Sequence, residues 1–254
     1  MKEKMRADLA MVEVGLCPTR SQAAQLINQE VVFCGQERVR KPSQNVNPAD
    51  LRIIKENMYV SRGGDKLEGA LKKLNIDLVE NFTVADVGAS TGGFTDCLLK
   101  KGASKVYCID VGHDQLNPMI KADPRVINFE GVNIRHGIDL PEKVDLVVSD
   151  LSFISLKLVL KEMFDLLKPD GQLLTLVKPQ FEVGKNGVDG HGIVKSEELR
   201  RESLIKLVEF YQENNWPING ICDSPILGKD GNKEYFFWTQ LQNKKTVGLE
   251  QLWK

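Results

Sequence analysis

Hydrophobic positions fall into two patterns along the chain, and the change comes near residue 60. After that point, short and mostly apolar runs alternate with amphipathic stretches. The apolar runs cover residues 84–87, 106–109, 126–129, 146–148 and 173–177. The amphipathic stretches lie near residues 66–74, 92–101, 113–121, 155–167 and 196–214. Nearly continuous apolar runs of this length are typical of strands buried on both faces of a parallel sheet. With two more strands expected near 218–222 and 235–241, the pattern predicts a doubly wound α/β domain with a mostly parallel, seven-stranded, Rossmann-like sheet.

The first 58 residues predict shorter elements. An amphipathic turn begins at Met5 and is interrupted by Gly15 and Pro18, and a helix is expected over 22–28 with Thr19 or Ser21 as its N-cap. Further elements of this part are a hairpin over 31–40 that turns at 35–36, a loop that starts at 41–42 and a short strand over 51–54. We therefore expect a small α+β module at 1–58, a linker at 59–64 with a break at 62–64, and a larger domain at 65–254.

Composition excludes several classes. The 254 residues carry a net charge of −1, but residues 1–62 hold ten Lys or Arg against seven Asp or Glu, a weak sign of nucleic-acid contact. The five cysteines show no C-x-x-C and the three histidines are scattered, which favours free thiols in the cytoplasm and no metal site. No apolar run approaches the roughly 20 residues of a membrane span, and no secretory signal opens the chain, so no membrane partner is expected.

A glycine-rich segment follows the first predicted strand of the larger domain. It reads Asp86-Val87-Gly88-Ala89-Ser90-Thr91-Gly92-Gly93-Phe94. Its glycines allow a sharp turn and close approach to a ligand, and the helix that follows offers unpaired N–H groups to an anion such as a carboxylate. The segment is neither a phosphate loop with its lysine nor a full G-x-G-x-x-G, so a dinucleotide is less favoured. A tight turn without a ligand is the alternative interpretation.

Charged residues end several predicted strands. Asp110 ends the second strand, where an acid can hold ribose hydroxyls or simply cap the next turn. Asp150 and Lys178 end the fourth and fifth strands, and the carboxyl ends of parallel strands share one edge. Lys66 and Glu234 are two more candidates from remote parts of the chain. Such amines could withdraw a hydroxyl proton or stabilise an alkoxide, with the carboxylates orienting them. An ordinary rim of ion pairs is the alternative.

Several segments together resemble one known family. They are residues 6–8, 15–16, 19–23, 59–64, 86–96, 150–156, 178–182 and 224–236. These segments closely resemble the TlyA-type hemolysin family, whose members are similar to ribosomal RNA 2′-O-methyltransferases of the FtsJ class. The resemblance extends over nearly the whole chain. It implies a methyltransferase fold that uses S-adenosylmethionine (SAM), preceded by an S4-type RNA-binding domain.

The resemblance also assigns residues. A catalytic tetrad is implied at Lys66, Asp150, Lys178 and Glu234. The SAM site is implied at Asp86, Gly88, Ala89, Ser90, Thr91, Gly92, Gly93, Phe94, Asp110, Val111, Val132, Asn133 and Asp150. The RNA contacts are implied at Arg6, Arg20, Arg38, Arg40 and Lys41. One position departs from the family, because Glu30 stands where the S4-type module usually has glycine.

The sequence thus predicts a cytoplasmic enzyme that methylates a ribose 2′-hydroxyl of ribosomal RNA, at a cytidine, with ribosomal RNA or ribosomal subunits as partner and no metal. Two rival hypotheses belong to other classes. One is a pore-forming or membrane-lytic hemolysin, which the lack of an apolar span disfavours. The other is a non-catalytic RNA-binding protein with a degenerate SAM pocket.

Overall fold

The computed structural model describes residues 4–28, 30–53, 58–76, 80–228 and 230–252. Contacts within the chain divide it into two compact units, Met1–Ser61 and Arg62–Lys254. The division falls inside the segment expected to be a linker. Residues 62–64 do not form the expected break, because they are the first turn of a helix, Arg62–Lys73. Glycine is tolerated there, since the first N–H groups of a helix have no partner within the helix.

The smaller unit combines two helices with short strands. Its elements are β1 (Met5–Arg6), α1 (Ala7–Glu13), α2 (Arg20–Asn28), β2 (Val32–Cys34), β3 (Glu37–Arg38), β4 (Asn45–Val46) and β5 (Leu51–Ile53). β1 pairs with β4, while β3, β2 and β5 form a second antiparallel sheet. Apolar side chains of α1 and α2, such as Met11 and Ile27, pack with Val32 and Val39 of the strand region into one small core.

Two sequence predictions for this unit need correction. Residues Met5 and Arg6 are a strand and not the start of a helix, because they pair with Val46 and Asn45. Periodicity missed β4, since two residues are too few to show alternation. The hairpin and the strand near residue 51 are present, and Ile54, the last residue predicted for that strand, lies outside the described residues.

The larger unit alternates strands and helices from its first helix onward. Its elements are α3 (Arg62–Lys73), β6 (Thr83–Val87), α4 (Gly93–Lys100), β7 (Lys105–Ile109), α5 (Pro118–Lys121), β8 (Val126–Phe129), β9 (Val144–Ser149), α6 (Leu160–Asp165), β10 (Leu167–Val177), α7 (Pro179–Glu182), α8 (Glu197–Glu213), β11 (Gly220–Asp223) and β12 (Tyr235–Gln240). Short 3-10 turns lie between some of them.

The strands of this unit form one seven-stranded sheet, which confirms the predicted fold class. The order across the sheet is β11-β12-β10-β9-β6-β7-β8. Neighbours from β10 to β8 are parallel, and β12 is antiparallel to both β10 and β11. The chain runs outward from β6 to β8 on one side and from β9 to β10 on the other. The switch point of the winding therefore lies between β6 and β9, where such sheets open a crevice at their carboxyl edge.

Helix boundaries differ most from the sequence prediction. The helix expected over 113–121 is limited to Pro118–Lys121, because Asn117 caps it and Asp114 has a positive φ of 53°. The helix expected over 155–167 is α6 alone, preceded by a 3-10 turn at Leu156–Leu158. β10 begins at Leu167, earlier than predicted, and its register against β9 shifts between Leu167 and Gln172.

Candidate active site

A cavity of about 490 Å³ opens at the switch point of the larger sheet. The carboxyl ends of β6, β7 and β9 form its floor. The volume of the cavity lies within the range of about 300–1,000 Å³ that is usual for small-molecule sites. Seven of the residues predicted for cofactor binding line it. They are Gly88, Ser90, Asp110, Val111, Val132, Asn133 and Asp150. The lining combines apolar walls with two carboxylates, as expected for a ligand that has both a planar ring and polar groups.

The glycine-rich loop shapes this cavity through its backbone. Gly88 has a φ of 84°, and a Cβ at this position would lie 2.8 Å from the carbonyl oxygen of Asp150. Gly92 has a φ of 88°, and a Cβ there would lie 2.8 Å from a methyl carbon of Leu116. A larger residue at either position would meet both a left-handed backbone and a steric clash. The loop can therefore turn only because these positions are glycine.

Asp110 joins the glycine loop to the next loop along the edge. One of its carboxylate oxygens accepts a hydrogen bond from the backbone N–H of Ser90 at 2.7 Å, and the other accepts from the N–H of Gly112 at 2.8 Å. Ser90 itself adopts a positive φ of 48°. The carboxylate is only partly buried and lines the cavity, so it fixes the two loops and still faces the position of a ligand.

The remaining residues predicted for cofactor binding do not line this cavity. They are Asp86, Ala89, Thr91, Gly92, Gly93 and Phe94. Phe94 is buried and packs against Phe236, with ring centroids 6.1 Å apart. Thr91 is exposed, and its carbonyl accepts from the N–H of Asn117. These residues support the loop from below or beside it.

Asp86 is the most unusual of these supporting residues. It is fully buried, and one carboxylate oxygen accepts a hydrogen bond from the hydroxyl of Thr95 at 2.6 Å. The other oxygen has no hydrogen-bond partner among the described residues. Burial raises the pKa of Asp86 to about 7, and the nearby charges of Asp150 and Asp110 act in the same direction. An acid that is half protonated near neutral pH thus lies beneath the glycine loop.

Two of the predicted catalytic residues form an ion pair at the rim of the cavity. The Nζ of Lys178 lies 2.6 Å from a carboxylate oxygen of Asp150 and donates a hydrogen bond to the hydroxyl of Ser152 at 2.7 Å. Lys178 follows β10 and Asp150 follows β9, so the parallel pairing of these strands brings them together. The side chain of Asp150 is 23% exposed and lines the cavity, which leaves this pair accessible.

The other two form a second ion pair that is excluded from solvent. The Nζ of Lys66, on α3, donates to a carboxylate oxygen of Glu234 at 2.5 Å, and the two side chains are 9% and 3% exposed. Gly228 lies directly against this carboxylate, since a Cβ on Gly228 would approach Glu234 to 2.6 Å. The glycine lets the loop before β12 close over the pair.

The sheet brings both pairs to one edge. Val177 and Tyr235 are register partners of β10 and β12, so Lys178 and Glu234 leave the sheet at neighbouring positions. Asp150 lies at the end of β9, on the other side of β10. Neighbouring strands are about 4.8 Å apart, so the backbones of Asp150 and Glu234 are separated by roughly 10 Å across two strand spacings. The predicted tetrad is thus arranged as two ion pairs at the carboxyl edge of one sheet.

An aromatic side chain that was not predicted as a site residue lies at the mouth of the cavity. Phe153 is 91% exposed, has a positive φ of 64° and lines the cavity. Its ring packs against Phe181, with centroids 5.2 Å apart, and the Nζ of Lys178 lies 6.0 Å from the centroid of Phe181. The backbone of Phe153 is strained, because a left-handed conformation is unfavourable for a residue with a bulky side chain. Backbone strain of this kind concentrates at functional sites. Its position three residues after Asp150 was the available signal.

Glu182 was also missed. Its carboxylate accepts from the hydroxyl of Ser155 at 2.7 Å and from the backbone N–H of Leu156 at 2.8 Å. Burial raises its pKa. Because Glu182 ends the segment that begins at Lys178, and Ser155 ends the segment that begins at Asp150, these bonds join the far ends of the two loops that carry the accessible ion pair.

The basic residues predicted to contact RNA are held in different ways. Arg6 and Arg20 both bond to the buried carboxylate of Asp8, at distances from 2.7 to 3.1 Å. Hydrogen bonds from Arg6, together with those from Arg20, hold the pKa of Asp8 well below its usual range. Both guanidinium groups therefore have fixed positions on the surface of the smaller unit.

The other three predicted RNA contacts are also on the surface. Arg38 pairs with Glu30 at 2.7 Å, and the side chains of Arg40 and Lys41 are exposed. Glu30 has a positive φ of 62°, which explains the family preference for glycine at this position. The departure therefore costs backbone strain as well as placing an acid beside Arg38.

Among the described residues, no group of three or more His, Cys, Asp and Glu could hold a metal ion. Within the same ranges, no helix is both long and apolar enough to cross a membrane.

Comparison with known proteins gives matches over both units. The family model of FtsJ-like methyltransferases matches residues 59–241, and that of S4 domains matches residues 5–51. The chain is 40% identical over 259 residues to the 16S/23S rRNA (cytidine-2′-O)-methyltransferase TlyA of Mycobacterium tuberculosis (strain ATCC 25618 / H37Rv), which covers 99% of this chain and 96% of the relative.

Two further relatives carry a different name. Hemolysin A of Brachyspira hyodysenteriae is 38% identical over 235 residues, which covers 91% of this chain and 98% of the relative. A solved structure from Streptococcus thermophilus, provisionally named a hemolysin, is 36% identical with a TM-score of 0.73, covering 98% of this chain and 90% of that one.

Proposed function

The chain belongs to the FtsJ-like methyltransferase family, and from this premise we propose that it transfers the methyl group of SAM to a ribose 2′-hydroxyl of ribosomal RNA, at a cytidine. The family predicted from the sequence is thereby confirmed. The ribosomal substrate and the cytidine come from the name of the Mycobacterium relative. The observation that carries the proposal is the accessible Lys178–Asp150 pair, which lies at the rim of the switch-point cavity. A ribosomal substrate also implies a cytoplasmic reaction.

The residues of the cavity fit SAM. Asp110 offers carboxylate oxygens to ribose hydroxyls, and Val111 and Val132 offer apolar surface to a purine ring. Asp150 lines the part of the cavity next to Lys178. Glycine at position 88 lets the loop lie against the carbonyl oxygen of Asp150, where a Cβ would clash at 2.8 Å, and so lets the loop backbone form part of the cavity wall. When bound, SAM supplies an electrophilic methyl group on a sulfonium.

Lys178 then activates the ribose hydroxyl. Its Nζ lies between Asp150 and Ser152, which fix its direction. From that position the ammonium stabilises negative charge on the attacking oxygen, or, once it has passed its own proton to the carboxylate of Asp150, the neutral amine accepts the hydroxyl proton. The Lys66–Glu234 pair beside it is excluded from water and holds the neighbouring backbone and charge in place. Because displacement at carbon demands alignment, this fixed geometry supplies much of the rate.

RNA recognition is divided between the units in this proposal. The S4 domain holds phosphates with Arg6, Arg20 and the other surface cations, which positions the RNA without reading its sequence. The target nucleotide leaves its stack to reach the cavity. Phe153, an exposed ring at the cavity mouth, then provides a stacking surface for its base.

Methyl transfer from labelled SAM to ribosomal subunits that lack the modification tests the proposal. The full chain is expected to label 2′-O-methylcytidine, and Lys178→Ala to reduce the rate by about 10³-fold or more, with SAM affinity retained. Lys178→Arg keeps the positive charge, but arginine is a poor base. Substantial activity in this variant would show that Lys178 stabilises charge, and loss of activity would show that it transfers a proton.

Two outcomes would contradict the proposal. Full activity in Lys178→Ala would show that Lys178 takes no part in methyl transfer. Absence of SAM binding by the full chain would favour the RNA-binding protein with a degenerate pocket. The hemolysin name has its own test, since leakage of liposomes by pure protein without SAM would support a membrane-lytic activity.

A further inference from the structure

The carboxyl edge of the larger sheet carries a second cavity, of about 780 Å³, at the end farther from β8. It is lined by residues that end β11, precede and begin β12, and project from α3 and α8. The first cavity lies over β7, β6 and β9, and the two cavities share no lining residue. Asp150 lines the first cavity and Glu234 lines the second, so the two ion pairs of the active site lie between them.

The geometry of methyl transfer determines from which side the acceptor approaches, and this bears on the position of the second cavity. In a displacement at carbon, the attacking oxygen, the methyl carbon and the leaving sulfur must lie in line. An acceptor must therefore reach the ion pairs from the side opposite the cofactor. The second cavity, which Glu234 lines, lies at the same edge of the sheet, beyond β10 from the first cavity.

The wall of the second cavity is fixed by hydrogen bonds. The backbone N–H of Ser224 donates to the carbonyl of Glu234 at 2.8 Å, and the N–H of Gly228 donates to the carbonyl of Asn232 at 2.8 Å. From the side of α3, Arg62 donates to the carbonyl of Leu227 at 2.6 Å. A wall tied at several points keeps its shape without a ligand, which is the usual condition of a binding site.

The side chains that line the second cavity include three cations and three acids, and one cation is in excess because the acid Glu234 is neutralised by Lys66. Lys73, Arg201 and Lys233 line it, and the acids beside them are Glu197 and Asp223, since Glu234 is neutralised by Lys66. Lys73 pairs with Asp223 at 2.7 Å and Arg201 with Glu197 at 3.3 Å. The four side chains are between 41% and 68% exposed, and ion pairs this exposed are weak and exchange partners readily.

We infer that the second cavity binds the phosphodiester backbone of a single-stranded RNA segment next to the nucleotide that is methylated. Lys73, Arg201 and Lys233 contact its phosphates, and the contact sets the direction in which the acceptor ribose enters the active site. The inference rests on the proposed function for the identity of the acceptor. Phosphate contacts of this kind position RNA without selecting its sequence.

The salt dependence of RNA binding tests this inference directly. The probe is a short, fluorescently labelled, single-stranded RNA of mixed sequence, titrated with the full chain at several salt concentrations. For the double variant Lys73→Gln/Arg201→Gln we expect affinity to fall about tenfold, and the slope of log affinity against log salt to become shallower by about 1.4, or about 0.7 for each lost phosphate contact. SAM affinity should be unchanged.

Lys206→Gln is the matched control. Lys206 lies on α8 like Arg201, is 57% exposed and pairs with Glu202 four residues earlier, but it does not line the cavity. An equal loss of affinity and slope in Lys206→Gln and in Arg201→Gln would overturn the inference, because it would reduce the effect to general surface charge.

Asp223→Asn gives a prediction of the opposite sign. Removing this negative charge leaves Lys73 with a neutral partner, since its hydrogen bond to the backbone carbonyl of residue 223 remains, so RNA affinity should rise about two- to fivefold with a steeper salt slope. Weaker or unchanged binding would count against the cavity. These binding results are separate from the proposed function, which fails if the unaltered chain transfers no methyl group to ribosomal RNA.

Discussion

Each of the two ion pairs at the carboxyl edge joins a lysine to a carboxylate, but the two pairs have different surroundings. Lys66 and Glu234 are 9% and 3% exposed and contact each other at 2.5 Å. Lys178 and Asp150 are 11% and 23% exposed, and Asp150 faces the cavity. The first pair lies where water cannot compensate a lost partner, and the second lies where a substrate can reach it. Burial therefore separates a pair that supports the structure from a pair suited to chemistry.

The largest expected effect comes from breaking the buried pair. Lys66→Met should lower the free energy of unfolding by about 3–5 kcal/mol, because Glu234 would remain buried without its cation. Urea denaturation followed by circular dichroism measures the change. Lys178→Met, at the other pair, should cost less than Lys66→Met, since the side chain of Asp150 is 23% exposed against 3% for Glu234.

The double variant Lys66→Met/Glu234→Leu sharpens the same comparison. It should recover most of the lost stability, because an apolar pair replaces the orphaned carboxylate. Methyl transfer should stay low in the double variant if Glu234 also serves the reaction. Equal destabilisation by Lys66→Met and Lys178→Met would show that the two pairs do not differ as their burial indicates.

A smaller effect is expected at Asp86, which is buried without any cation. Its pKa is about 7 in the folded chain against an ordinary value of 3.8, so the folded chain binds the proton more tightly than the unfolded chain. The free energy of unfolding should therefore fall as pH rises from about 4 to about 7, and level off above. Asp86→Asn should remove this dependence and stabilise the protein at pH 8 by on the order of 2–4 kcal/mol.

Thermal unfolding of both proteins from pH 4 to pH 8 measures this prediction. The two melting temperatures should converge near pH 4, where Asp86 is protonated in the folded and partly in the unfolded chain. A difference that stays constant across the range would mean that the carboxyl group does not titrate as its burial implies.

The smallest effect concerns the accessible side of the site. Phe153→Ala should raise the KM for RNA by about 10- to 100-fold, since stacking of one base on an aromatic ring is worth roughly 1–3 kcal/mol. Phe153→Leu keeps apolar bulk but lacks the ring, and should lose nearly as much. SAM affinity and stability should change little, because the ring is 91% exposed. If Phe153→Ala leaves the KM for RNA unchanged, the base of the target nucleotide does not stack on Phe153.

The order of elements in the larger unit was predictable because the central strands are short, mostly apolar runs that are buried on both faces. Residues 84–87 and 106–109 lie within strands that are almost wholly buried, and such runs are hard to mistake. Helix ends were harder to predict. The region 113–121 contains enough apolar residues for a helix, but backbone preferences at Asp114 and Asn117 restrict it to one turn.

The location of the candidate site was predictable from the topology of the sheet. Which lysine pairs with which carboxylate was not predictable. Asp110, Asp150 and Lys178 were predicted as site residues because they directly follow buried strands. A charged residue at such a position is costly unless it is paired or has a functional role. Which amine meets which acid depends on contacts between remote segments, as Lys66 and Glu234 show. The exposure of Phe153 was equally hidden, since a lone aromatic residue usually belongs to the core.

The last strand in the sequence, β12, has a consequence for synthesis. It lies between β10 and β11, so β11 has no sheet partner until β12 has been made. A nascent chain that stops before Tyr235 would expose the edge of β10, and unpaired edges invite association with other chains. Because Glu234 is made just before that strand, the Lys66–Glu234 ion pair can form only after nearly all of the larger unit, including the glycine-rich loop, has been synthesised.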